Sequence, residues 1–150
     1  MTYEEKVTWV SAVVTLIVAG RYAWIVGGRL GELPVEAIAY QRPLLFAIGA
    51  MIVLTIVGTI AMSIATAIRG EISGDGSADD LDRKDERDAD IEARGDRVAF
   101  YVSSAFMVGV LALAMLEQPY FWIANGVFAA FVVGSLVSSS VKLVAYRRGF

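Results

Sequence analysis

Polar and apolar positions in this chain come in blocks instead of alternating. Four apolar blocks, at about 7–26, 44–68, 98–116 and 120–146, are separated by a loop at 27–43, a charged stretch at 69–97 and the short break Glu117-Gln118-Pro119. Each block is close to the about 20 predominantly apolar residues that a helix needs to cross a bilayer. The pattern predicts an all-α integral membrane protein: one four-span domain over 1–150, a four-helix bundle. A charged helical extension of its third helix is expected to stand on the cytoplasmic side.

Finer spacing adds detail within the blocks. In the fourth, Gly126, Ala130, Gly134 and Ser138 recur at intervals of four on one face, a doubled small-xxx-small pattern that lets two helix backbones approach closely. The second carries Thr55, Thr59, Ser63 and Ala67 in the same spacing, read as a packing face in preference to a substrate path. Aromatic residues stand near the block ends, Trp9, Tyr22, Trp24 and Tyr120–Phe121–Trp122, as interfacial belts do. Pro34 followed by VEAIAYQR predicts a short helix lying along the interface, with Pro34 at its first position. The break at Glu117–Pro119 predicts an antiparallel hairpin of the third and fourth helices.

The charged stretch is the most informative. In Asp79–Arg97, Asp79 to Arg83, Asp80 to Lys84 and Asp90 to Arg94 are acid-before-base pairs four apart, each worth about 0.2–0.5 kcal/mol on an exposed helix. No proline interrupts 81–116, so the extension and the third span read as one helix, with Gly95 a soft point costing about 1 kcal/mol relative to alanine. One face runs Leu81, Asp88, Ile91, Gly95, Val98, Val102, Ala105 and Gly109, a packing seam that continues out of the span. Asp88 interrupts it and requires a cation, since an unpaired buried carboxylate is costly. The partners considered are Arg69 or Lys142 of its own chain, or Arg94 or Arg97 of a second copy. Asp75, Ser77, Asp79 and Glu86 fall on calcium-loop positions, but the required glycine and apolar residue are Asp80 and Asp82, so a flexible acidic loop is preferred.

Composition narrows the functions. The chain is 57% hydrophobic and has neither cysteine nor histidine, which removes disulfides, thiol nucleophiles and the usual zinc sites. A net charge of -3 offers no nucleic-acid face, and no cofactor or metal is expected. The first block opens with Glu4 and Glu5 instead of a basic region and lacks a clear cleavage site, so it reads as a retained helix. Four spans place both termini and the 69–97 stretch on one side, with 10 of the 13 basic residues; Arg21, Arg29 and Arg42 remain for the other. Basic residues near span ends stay cytoplasmic and acids count for little, so the expectation is a multi-pass cell-membrane protein with both termini inside.

At Asp85–Tyr101, DERDADIEARGDRVAFY, the chain resembles a family of small four-span prokaryotic membrane proteins of unknown function. The residues that carry the resemblance are Asp85, Glu86, Arg87, Asp88, Ile91, Glu92, Arg94, Arg97 and Tyr101, about a tenth of the chain. The resemblance implies the four-span layout and brings no activity with it. The site expected from it is an interaction surface made of Asp85, Glu86, Arg87, Asp88, Glu92, Arg94, Arg97 and Tyr101.

Three functions compete. The preferred one is a non-enzymatic interaction or regulatory module, acting through the charged helix on a cytoplasmic protein or a second copy in a homo-oligomer. A small oligomeric transporter or channel is the alternative. Against it, the central turns of the four blocks carry no ionisable side chain, whereas transport pathways normally hold one. An enzyme lacks a nucleophile–base pair that can be named.

Overall fold

The computed structural model describes residues 3–73 and 86–148, with side chains for 3–68 and 87–148. It contains four long helices: α1 (Tyr3–Gly27), α2 (Gln41–Ser73), α3 (Glu86–Met115) and α4 (Tyr120–Arg148). All four are long and apolar enough to cross a membrane. The acid pairs at 79–84, Leu81, the calcium-like spacing and Asp85 lie outside the described residues. Glu4 and Glu5 stand in the first turn of α1 and Arg147 and Arg148 in the last turn of α4, each sign at the helix end whose partial charge it offsets.

The helices pack in the order α2, α1, α4, α3. α4 lies along α3 for most of its length, α1 bridges α2 and α4, and the two outer helices barely touch. The bundle is therefore open along one side. Ile52, Val53, Ile56, Val57, Ile60 and Ile64 of α2 are each more than half exposed. An apolar surface of that extent is a liability in water and suits contact with hydrocarbon.

At the end away from the termini, Val18, Tyr22, Val26, Ile38, Leu44, Ala47, Phe121 and Phe128 form the core. The expected interfacial helix at 34–42 is replaced by a single 3-10 turn, Val35–Ala37, preceded by Pro34 in an extended conformation outside the turn. Its purpose is packing: the turn drives Ile38 to 2% exposure, and Tyr40 meets the Phe121 ring edge-on at 5.2 Å. Burying Ile38 against α4 outweighs laying VEAIAYQR along a surface. Beneath it the Tyr22 hydroxyl donates to Asn125 Oδ1 at 2.6 Å, and Asn125 Nδ2 donates to the Phe121 carbonyl at 2.8 Å, so both polar side chains are satisfied within the apolar region.

The predicted hairpin closes α3 onto α4. Gln118 N–H bonds the Leu113 carbonyl at 3.0 Å and Glu117 N–H bonds the Ala114 carbonyl at 3.1 Å, a Schellman termination. Its left-handed position, φ 51°, is held by Glu117, where glycine is the usual residue. Pro119 follows and cannot continue the helix.

The α3–α4 seam differs in register from the expected one. Ile91 and Gly95 are buried as predicted, but Val98, Ala105 and Gly109 are exposed. The seam instead runs Gly95, Ala99, Ser103 at intervals of four, a second small-residue row, against Ser138, Gly134 and Ala130. A row of fours is inclined to the helix axis, and two such rows interdigitate where helices cross. The alternating three-four spacing used to predict the seam describes two helices that stay side by side.

Candidate functional site

The charged first turns of α3 dock along the last turns of α4. A Cβ on Gly95 would lie 2.6 Å from Cγ and 2.7 Å from Cε of Lys142, and 3.1 Å from the Ser138 carbonyl. A side chain here would force the lysine stem to move, so Gly95 lets Lys142 cross α3 closely. Gly95 is a point of close approach between the two helices. Having crossed, Lys142 Nζ meets Asp96 Oδ1 at 2.8 Å, and Ser138 Oγ donates to the same oxygen at 3.1 Å. Lys142, one of four cations expected as alternatives for Asp88, pairs with Asp96. Asp88 is half-buried one turn before Ile91, within electrostatic range of Tyr146 together with Glu4, Glu92 and Arg87. On the α1 side, the Arg147 guanidinium stands 5.8 Å from the Trp9 ring centroid, and the Tyr3 and Ser63 hydroxyls are hydrogen-bonded to each other.

This docking divides the predicted interaction residues. Asp88 and Glu92 are half-buried on the side of α4, with Ile91 at 3% exposure between them. Arg87, Arg94, Arg97 and Tyr101 are exposed on the outer side, in one stripe with Asp90. Asp85 lies outside the described residues, and Glu86 opens α3 with only its backbone described. The helix-packing prediction fares differently: Gly126, Ala130, Gly134 and Ser138 all face α3. Ala130 is 1% exposed, a Cβ on Gly134 would collide with Ser103 Oγ, and one on Gly126 would lie 2.9 Å from Val110. The Ser103 hydroxyl donates to the Ala130 carbonyl at 3.1 Å, an interhelical bond.

Sequence reasoning missed a cleft of about 590 Å³ on the open side of the bundle. Its mouth, at the end where the described chain begins and ends, carries Glu4, Glu92, Asp96, Lys142 and Tyr146. Deeper in, Ser11, Thr55, Ser103 and Ser135 line it beside Phe100 and Phe131. These residues come from all four helices, so no linear spacing announces them. One signal was present: Gly95, Ala99 and Ser103 repeat at the spacing found in α4, which identifies α3 as the partner of the α4 face.

The fold therefore defines an all-α protein of four helices able to span a membrane, with a charged docking region at one end and a cleft beside it. Compared with known protein families, curated proteins and solved structures, the chain matches none.

Proposed function

We propose that this is a non-enzymatic, multi-pass cell-membrane protein with both termini cytoplasmic, acting as an interaction or regulatory module through the outer face of the α3 start. One observation carries the proposal: the charged segment is two-faced. Its inner face is engaged with α4 through Ile91, Gly95 and the Asp96–Lys142 pair, while Arg87, Asp90, Arg94, Arg97 and Tyr101 stay exposed in a stripe. A helix needed only as a continuation of a span requires no such outer face. Arginines with an aromatic neighbour are the residue types that anchor protein interfaces. Rim charges of this kind set partner choice and association rate more than raw affinity.

The test is co-purification from native membranes of wild type against an Arg94→Glu/Arg97→Glu variant, whose changes lie on exposed positions and leave the α4 contacts intact. A protein partner or second copy retained by wild type and lost by the variant is expected. The same set of partners on both, or none on either, removes this reading.

The cleft favours a second reading, transport. No ionisable group lines it deeper than Asp96 and Lys142, so a coupling residue of the usual kind is missing from its inner half.

A further inference from the structure

The cleft gathers hydroxyl groups that the chain itself leaves without a partner. Outside it, the Thr59, Ser63 and Ser140 hydroxyls each donate to the carbonyl four residues back on their own helix, at 2.9, 3.1 and 2.7 Å. Such a bond spares a hydroxyl the cost of facing hydrocarbon unpaired. Three lining residues do otherwise. Among the described residues the hydroxyls of Ser11, Thr55 and Ser139, one each from α1, α2 and α4, make no hydrogen bond. Ser139 is only 5% exposed, yet no fully buried side-chain oxygen among the described residues lacks a partner, so its Oγ opens onto the cleft. We propose that the cleft binds a neutral lipid with a hydroxylated head, of the monoacylglycerol type. The head lies among these hydroxyls and the acyl chain leaves sideways.

Charge asks for nothing from the ligand. At the mouth Lys142 pairs with Asp96, and Glu92 is engaged within the chain. Glu4 stands in the first turn of α1, where the helix end offsets its charge. The charged groups thus have their answers in the fold, and a neutral head suffices.

Hydrogen-bond polarity narrows the head further. Each free hydroxyl has one proton to give and lone pairs with which to receive one. A head that only donates or only accepts leaves part of that capacity unmet. A glycerol head does both, through hydroxyls able to meet three helices at once.

Shape supplies the tail. The volume of about 590 Å³ falls within the ~300–1,000 Å³ common for small-molecule sites. Along α4 the lining extends from Tyr146 to Phe131, a rise of ~22 Å at ~1.5 Å per residue. Phe100 and Phe131, each 67% exposed, give it apolar borders. Because the edge helices α2 and α3 barely touch, the groove opens sideways, where hydrocarbon would lie, and a lipid can enter from the bilayer. The proposal rests on the membrane-spanning reading and is independent of the arginine stripe.

The experiment is photolabelling of the full chain in phosphatidylcholine nanodiscs with 1-lauroylglycerol carrying a diazirine on its acyl chain. Labelling by probe merely dissolved in the lipid rises without saturating and is common to all variants. Wild type should show a saturable component on top of it, displaced by unlabelled 1-lauroylglycerol and much less by methyl laurate, whose head cannot donate. Ser11→Ala/Ser139→Ala should raise the midpoint at least about fivefold, as loss of two neutral hydrogen bonds does. Both hydroxyls bond nothing in the chain, so the fold should survive their removal. Ser140→Ala, outside the cleft, should leave the midpoint in place. Absence of a saturable component, equal displacement by methyl laurate, or an unmoved midpoint in the double variant each overturns the proposal alone. A chain that does not incorporate into the discs overturns the membrane-spanning reading and the proposal with it.

Discussion

Two single residues show how closely backbone geometry is matched to side-chain size. Glu117 occupies a left-handed conformation at the α3 terminus, φ 51°, which costs a residue bearing a Cβ roughly 1–2 kcal/mol relative to a right-handed one. Glycine loses part of that advantage to its greater freedom when unfolded. Glu117→Gly should therefore stabilise the hairpin by about 0.5–1 kcal/mol, whereas Glu117→Ala should not, as thermal unfolding in detergent will report. Gly134 presents the opposite case. A Cβ there would run into Ser103 Oγ, yet would sit at an ordinary 3.5 Å from Ser103 Cβ. Gly134→Ala should cost about 1–3 kcal/mol in wild type by overpacking and much less in a Ser103→Ala background. Strict additivity of the two substitutions would show that this hydroxyl is not what sets the helix spacing.

At the scale of elements, α3 decides between a docked helix and a solvated stalk. Its charged turns are not free: Ile91, amid DERDADIEARGDR, is 3% exposed, a value matched in the core by Phe121. Ile91→Ala should destabilise by about 2–5 kcal/mol, the range for emptying a packed site. Val98→Ala, at 39% exposure, should stay within about 0.5 kcal/mol. The expected seam contained both residues and gave them equal weight, so similar losses at the two positions would restore it in place of the row of fours. The Asp96–Lys142 pair adds little by itself, because Asp96 is 63% exposed and such pairs contribute about 0–1 kcal/mol. What it adds is register, since Lys142 reaches Asp96 across Gly95, where a Cβ would lie 2.6 Å from the lysine stem.

For the whole molecule, the open order α2, α1, α4, α3 places the two least covered helices at the edges and leaves a cleft between them. Among the described residues, the end that carries the cleft mouth also holds most of the basic side chains, which makes orientation testable. A reporter active only in the cytoplasm should be active when fused after Phe150 or inserted at Gly76. Activity of an external reporter at either position would reverse the topology and move the cleft mouth to the outside. Closure by a second copy is a further arrangement that the open edge permits, and the co-purification described above detects it.

Legibility from sequence followed the range of the interaction. The number of the helices came from block hydropathy, the hairpin from Glu117-Gln118-Pro119, and the α4 contact face from four small residues at fixed spacing; all are properties of neighbours along the chain. Even the correct α3 row, Gly95-Ala99-Ser103, was present as a pattern, hidden because its charged surroundings suggested a different face. The tertiary structure alone decided that α1 separates α2 from α4, that Lys142 crosses Gly95 to Asp96 and not to Asp88, and that Ile38 fills the core. It alone gathered Glu4, Glu92, Thr55 and Ser135 around one cleft. The physical reason is that a helix apolar on nearly every side has no preferred direction in which to hide. Its neighbours are chosen by shape, by where a backbone can approach within a missing Cβ, and that complementarity exists only once two helices have met.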